Sequence, residues 1–133
     1  MTFDELYSRA KAVINPRRLS EHAEAGAVGA ALLSASGRVY VGVCIDTACS
    51  MGFCAEHAAA AAMITAGESR VVRMLAVDKR GQIIPPCGRC REFISQLDDG
   101  NLEAEVKVDA DAVVRLRDLL PYDWRQAGGR RSV

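Results

Sequence analysis

Two short stretches of the chain, residues 53–57 and 86–91, hold most of its reactive side chains. The first contains Cys54 and Glu56 and opens an alanine-rich run that indicates a helix. The second contains Cys87 and Cys90, whose spacing of three places both thiols on one face of a helix. All three thiols therefore belong at helix starts, where backbone N–H groups and the helix dipole favour thiolates. Any fold in which the thiols act together must bring these two helix starts to one place.

Three thiols in this pattern indicate a metal site. Thiolates bind Zn²⁺ well, and three protein ligands leave a fourth tetrahedral position open, as in catalytic zinc sites. Glu56 lies two residues after Cys54 and points away from it, so it need not bind the metal and can carry the proton of a water at the open position. A structural zinc clip is the alternative, since Cys-x-x-Cys alone does not exclude it. The added Cys-x-Glu and the preceding Pro86 favour the catalytic interpretation.

The amino-acid composition indicates which classes of substrate the chain can bind. The 133 residues predict one domain, residues 1–127, followed by a disordered tail at 128–133. Seventeen basic residues balance seventeen acidic ones, and aromatic residues are few, so a nucleic-acid polymer is not the expected substrate. A small molecule fits better. We expect no signal segment, no membrane span and a reducing cytoplasm, in which Cys44 and Cys49 are small buried residues rather than a disulfide.

Hydrophobic periodicity predicts an α/β fold. Helices are expected at residues 3–14, 54–67, 87–97 and 113–120, and strands at 27–33, 38–45, 71–78 and 103–108. Residues 17–24, 46–53, 79–86 and 98–101 are expected to be loops or turns. The first two strands form an antiparallel hairpin, and later crossovers add parallel strands. This order predicts a central mixed sheet with helices on both faces.

The chain resembles the cytidine deaminase superfamily, in its small three-cysteine branch, and the resemblance covers nearly the whole sequence. It implies a three-layer α/β/α fold with a five-stranded mixed sheet, one zinc per subunit, a homotetramer, and hydrolytic deamination of an aminopyrimidine nucleoside. Within that branch the sequence is similar to the blasticidin S deaminases. The motifs that carry the resemblance are Val28-Gly29-Ala30-Ala31-Leu32, Gly42-Val43, Cys54-Ala55-Glu56, Pro86-Cys87-Gly88-Arg89-Cys90-Arg91 and Leu119-Leu120-Pro121.

The resemblance also assigns roles to individual residues. It implies that Glu56 is the acid/base and does not bind the metal. The backbone N–H of Ala55 would hold the pyrimidine carbonyl oxygen, and the backbone carbonyl of Pro85 would accept from the departing amino group. The implied metal ligands are Cys54, Cys87 and Cys90.

Several positions depart from the family pattern. Ordinary cytidine deaminases hold the ribose with an Asn and a Glu, and the matching positions here are Cys44, a poor hydrogen-bond partner, and the shorter Asp46. They also place an Arg after the catalytic Glu, where this chain has His57. His57, Arg89 and Arg91 are candidates for hydrogen bonds around the thiolates. Helix packing of His57 and a solvated helix face for the arginines are the alternatives.

Together these features predict a zinc-dependent hydrolytic deaminase. Its expected substrate is cytidine, deoxycytidine or a modified cytosine nucleoside such as blasticidin S, which would release ammonia and leave a uracil-type product. A non-enzymatic zinc module that binds a partner, or a deaminase of a free base, remains open. Trp124 either caps a pocket or anchors the last helix.

Overall fold

A computed structural model describes residues 1–129, which form three layers. A mixed sheet lies in the middle, with helix α1 on one face and helices α2 and α3 on the other. The predicted three-layer arrangement is confirmed. The helices are α1 (Phe3–Ala12), α2 (Ala55–Thr65) and α3 (Gly88–Leu97). The strands are β1 (Arg17–Ser20), β2 (Ala23–Ser34), β3 (Val39–Thr47), β4 (Val71–Asp78), β5 (Ile83–Ile84), β6 (Glu105–Lys107) and β7 (Val113–Arg115).

The sheet is five strands wide, in the order β3–β2–β4–β6–β7. Strands β1 and β4 pair with the same edge of β2, β1 nearer its start and β4 further along. In the same way, β5 and β6 pair with the same edge of β4 at different positions. The short strands β1 and β5 bring the total within residues 1–129 to seven. Strands β4 and β6 run parallel, and the other paired strands run antiparallel. The sheet is therefore mixed, as predicted, although the described part of the chain forms only one parallel pair.

Alternation along the central strands divides the core into two halves. Successive side chains of a strand point to opposite faces, so Ala30 and Leu32 of β2 pack beneath α2 and α3. Their neighbours Ala31 and Leu33 pack against Leu6 of α1. The continuous apolar run of β2 is thus explained by burial on both faces.

Small residues allow α2 to lie close to the sheet. A Cβ atom on Gly42 of β3 would lie only 2.4 Å from the backbone nitrogen of Ala59, so a side chain is excluded there. Ala59 and Ala60 are fully buried against the sheet. This close packing fixes the position of the start of α2, where Cys54 lies.

Four local predictions are wrong. Residues 17–24, expected to be a loop, contain β1, and the loop at 79–86 contains β5. Residues 113–120, expected to be a helix, form β7 and a 3₁₀ turn, because β7 pairs with β6 and the Leu116 N–H donates to the Ala104 carbonyl at 2.9 Å. Cys49 is exposed in the loop after β3, whereas Cys44 is buried as expected.

A 3₁₀ segment ends the described part of the chain. Gly128 and Gly129 belong to a final 3₁₀ segment, Trp124–Gly129, and residues 130–133 of the predicted tail lie outside the described residues. Within residues 1–129, no helix has both the length and the apolar character needed to cross a membrane.

Candidate active site

The starts of α2 and α3 meet on one face of the sheet and bring the three predicted metal-binding thiols together. Cys54 is the residue before α2, Cys87 is the residue before α3, and Cys90 lies in the first turn of α3. Their sulfur atoms all lie within 4.8 Å of one another, and the Cys54 and Cys87 sulfurs are 3.3 Å apart. Among residues 1–129, this is the one group of three or more potential ligands that close together.

A short bridge holds the start of α2 against β3. Ile45 and Phe53 exchange two backbone hydrogen bonds, of 3.0 and 2.9 Å. Gly52 permits this approach, because a Cβ atom there would lie 2.0 Å from the Ile45 carbonyl oxygen. The bridge delivers Cys54 beside the end of β3, where Cys44 and Asp46 lie.

The thiols resist ionising together in the absence of a cation. Burial, and then the neighbouring Cys87, raise the pKa of Cys54 to about 11, and burial also raises the pKa of Cys90. Burial opposes ionisation of Cys87 as well, but hydrogen bonds from the Cys90 backbone N–H and the adjacent thiols lower its pKa overall. Ionisation of one thiol is therefore favoured, whereas ionisation of a second thiol beside it is unfavourable. A divalent ion would remove that penalty, and three soft thiolates in tetrahedral reach are a donor set that suits zinc.

Glu56 is a buried carboxylate beside the thiols and outside the group of potential ligands. Its side chain lies in the first turn of α2 and is 3% exposed, yet it lines the cleft in front of Cys54 and Cys87. Burial raises its pKa, while its own backbone N–H acts in the opposite direction. A carboxyl group whose pKa moves toward neutrality is suited to both accepting and donating a proton near pH 7.

The cleft has a volume of about 600 Å³ and contains most of the predicted substrate-binding positions. Cys44 and Asp46 line it from the end of β3, and Pro85 lines it from the segment before α3. Ala55 is fully buried, but as the first residue of α2 its backbone N–H has no partner within the helix. The side chains of His57, Cys90 and Arg91 do not form the cleft wall.

Sequence reasoning missed several residues of the cleft. Phe53 could have been identified because it precedes Cys54 directly. Thr47 ends β3, and Ser50 lies in the loop that follows, in which Cys49 and Ser50 adopt left-handed backbone angles, φ 63° and 58°. No sequence signal indicates that turn. The missed lining residues are Ala27, Val28, Ile45, Thr47, Ser50, Gly52, Phe53 and Ile84.

His57 lies in an aromatic stack. Its ring is 4.7 Å from that of Phe53 and 4.4 Å from that of Phe93, measured between centroids. Its Nδ1 atom is buried and has no hydrogen-bond partner among the described residues. Burial, and then the nearby Arg89, lower its pKa, which favours the neutral ring. The packing alternative therefore describes its position better than a hydrogen bond to the thiols.

The two arginines of the second motif bind backbone carbonyls. Arg89 donates from Nη1 to the Gly52 carbonyl at 3.2 Å and also lines the cleft. Arg91 donates from Nε to the Pro86 carbonyl at 2.7 Å and from Nη1 to the Leu119 carbonyl at 3.5 Å. Both side chains thus contact the loops that carry the site, and neither is simply solvated.

Trp124 anchors the end of the described chain. Its indole Nε1 donates to Glu92 of α3 at 2.9 Å, and the Arg125 guanidinium lies 5.3 Å from its ring centroid. It is not among the residues that line the cleft. The anchoring interpretation agrees with these contacts.

Comparison with known proteins gives a consistent set of relatives. The cytidine deaminase of Mycobacterium tuberculosis (strain CDC 1551 / Oshkosh) is 37% identical over 97 residues, which cover 71% of this chain and 70% of that protein. The cytidine deaminase of Halalkalibacterium halodurans is 33% identical over 103 residues, covering 71% and 74%. No protein-family model matches the chain.

Solved structures agree with the sequence relatives. The crystal structure of cytidine deaminase from Mycobacterium tuberculosis superposes with a TM-score of 0.78 at 29% identity, over 93% of this chain and 98% of that one. The enzyme from Burkholderia pseudomallei gives a TM-score of 0.74 at 29% identity, over 92% and 98%. With the thiol cluster, the buried glutamate and the three-layer sheet in place, the sequence identity establishes that this chain belongs to the cytidine deaminase family.

Proposed function

We propose that this protein is a zinc-dependent hydrolytic deaminase of an aminopyrimidine nucleoside. One observation carries the proposal: three thiols lie within ligand distance, and two of them, Cys54 and Cys87, share a cleft with a buried carboxylate that is not part of the ligand group. A structural zinc site has no need of such a carboxylate, or of an adjoining cleft of about 600 Å³. The relatives named as cytidine deaminases support the reaction class.

Cys54, Cys87 and Cys90 would hold the zinc. When bound, zinc supplies a Lewis acid and a water of lowered pKa at its open position. In the reaction, the oxygen of water adds to the ring carbon that bears the amino group, and the bond from that carbon to nitrogen breaks. Glu56 accepts one proton of the water at its carboxylate and passes it to the ring nitrogen. It then accepts the proton of the new hydroxyl group on the ring carbon and passes it to the amino group, which leaves as ammonia while the carbonyl forms. One carboxylate that acts twice leaves no need for a second acid.

Backbone groups would orient the pyrimidine. The N–H of Ala55 at the start of α2 is free to donate to the pyrimidine carbonyl oxygen. The carbonyl of Pro85, in the cleft wall, would accept from the amino group that leaves. Both contacts are made by the main chain, so the identity of the side chain at either position does not limit them. A screen of aminopyrimidine nucleosides and free bases for ammonia release tests the proposal.

The sugar-binding end of the cleft determines which nucleoside is used. Cytidine, deoxycytidine and a modified cytosine nucleoside such as blasticidin S are the proposed substrates. Cys44 and Asp46, which both line the cleft, would contact the sugar. Since a thiol hydrogen-bonds weakly, Cys44 gives little binding energy to a ribose hydroxyl.

Replacing Cys44→Asn is therefore expected to raise kcat/KM for cytidine by roughly 3- to 10-fold, the range for one net hydrogen bond. Steady-state kinetics with cytidine measures this. Cys49→Asn is the matched control, because Cys49 is exposed, lies outside the cleft, and has a left-handed backbone that Asn tolerates. An unchanged or lower kcat/KM for cytidine in Cys44→Asn would show that position 44 does not contact the sugar.

We further propose that the protein is a cytoplasmic homotetramer. The outer side of α2 exposes Ala61, Ala62 and Ile64, a smooth apolar surface that another subunit can approach closely. Free cysteines suit a reducing compartment. Light scattering at micromolar concentration is expected to give four times the chain mass of 14.3 kDa. A fully active monomer would contradict this assembly.

A further inference from the structure

The segment that joins β5 to α3 forms part of the cleft wall but has few backbone hydrogen bonds of its own. Pro85 and Pro86 have no N–H to donate. The pairing of β5 with β4 covers only Ile83 and Ile84 and so ends just before Pro85. Beyond it, Cys87 accepts a backbone bond from Arg91 at 3.0 Å. The carbonyl of the buried Pro86 therefore needs a partner from outside the sheet.

Arg91 supplies such a partner. Its Nε donates to the Pro86 carbonyl at 2.7 Å, the short distance typical of a hydrogen bond from a charged donor. Its Nη1 reaches the carbonyl of Leu119 at 3.5 Å. Leu119 ends the 3₁₀ turn that begins at the fully buried Leu116, so this second contact ties the segment to the core.

The hydrogen bond to the Pro86 carbonyl also orients the residues next to it. A peptide group is planar, so the direction of the Pro86 carbonyl sets the direction of the Cys87 N–H and the entry of the chain into α3. On the other side, Pro85 lines the cleft. Among residues 1–129, Arg91 forms no ion pair with a carboxylate, so its guanidinium is available to these two carbonyls.

We propose that Arg91 is a positioning residue: by holding the Pro86 carbonyl against Leu119, it keeps the Pro85 wall of the cleft in place for the amino group of the substrate. This rests on the proposed deaminase function. The guanidinium acts through its planar geometry, since two donors at a fixed separation link two carbonyls that a single ammonium group does not span equally well.

Arg91→Gln is expected to lower kcat for the best aminopyrimidine nucleoside by roughly 10- to 100-fold, the effect of misplacing a reacting group by about 1 Å. KM should change by less than about threefold, and zinc should stay near one per chain. Arg91→Lys keeps the charge and one donor and should recover part of kcat. If Arg91→Gln fails to fold, kcat and zinc content are measured on Arg91→Lys instead. Arg115→Gln is the matched control, because Arg115 also donates to a backbone carbonyl, that of Glu103 at 2.8 Å, outside the cleft.

Amide hydrogen exchange provides a readout that does not depend on activity. Exchange over residues 86–91 should be faster in Arg91→Gln than in the wild type, and unchanged in Arg115→Gln. Unchanged exchange in Arg91→Gln, an unchanged kcat despite faster exchange, or loss of zinc from that variant would each overturn the proposal. If the wild type deaminates no nucleoside, the proposed function fails and the catalytic part of this proposal with it, while exchange still decides whether Arg91 fixes the segment.

Discussion

Glu56→Gln is expected to lower turnover at least about a hundredfold, the low end of what a general acid/base contributes. The amide keeps the size of the side chain but cannot carry a proton between water and the pyrimidine. Zinc content should stay unchanged, because the three thiols are close enough to bind the metal without Glu56. The fold should also survive, since a glutamate in the first turn of a helix contributes on the order of 1 kcal/mol or less. Zinc content, melting temperature and ammonia release are measured on one preparation.

Glu5→Gln is the matched control for that variant. Glu5 also lies in the first turn of a helix, but on α1, across the sheet from the cleft. It should behave as the wild type in all three measurements. Wild-type turnover in Glu56→Gln would exclude the proposed mechanism, and loss of zinc from it would make Glu56 a ligand. A non-enzymatic zinc module predicts no special sensitivity at either glutamate.

Cys90→Ser is expected to reduce bound zinc from about one per chain to near zero and to abolish turnover with it, because a ligand thiolate is lost. Serine differs from cysteine by one atom, so the change in packing at this fully buried position is small. The variant should also melt at a lower temperature than zinc-loaded wild type, since it lacks the stabilisation that a bound ion gives the native state. Metal analysis after gentle purification measures the effect.

Cys49→Ser provides the comparison for Cys90→Ser. Cys49 is a free, exposed thiol outside the cluster, so its replacement should leave zinc and turnover unchanged. Stoichiometric zinc in Cys90→Ser together with zinc loss in Cys49→Ser would show that the thiols are assigned wrongly.

The grouping of the three thiols was predictable because it depends largely on short-range spacing. Cys87 and Cys90 must share a helical face, and Cys54 must open the alanine helix, so two motifs suffice to place three thiols and Glu56. The sheet was predictable for a similar reason: the long apolar run of β2 and the alternation of β3 are strong local patterns.

The wrong predictions of secondary structure concern segments in which pairing with another strand outweighs the local sequence pattern. All four residues of β1 are exposed, so no apolar periodicity marks that strand. Val113 and Val114 follow a helical apolar spacing, but pairing with β6 draws these β-branched residues into a strand. The carbonyl contacts of Arg91 and the stacking of His57 depend on side-chain directions that a sequence pattern does not specify.

Zinc-dependent ammonia release by the wild-type protein decides between a deaminase and a zinc module that only binds a partner. The protein is assayed with cytidine, deoxycytidine, modified cytosine nucleosides and free cytosine, first as purified, then after chelation, and again after one equivalent of zinc is restored. At least one nucleoside is expected to yield one ammonia and one uracil-type product per molecule, chelation is expected to remove this activity, and zinc is expected to restore it. Protein that holds one zinc per chain and releases no ammonia from any nucleoside would exclude the proposed deaminase function.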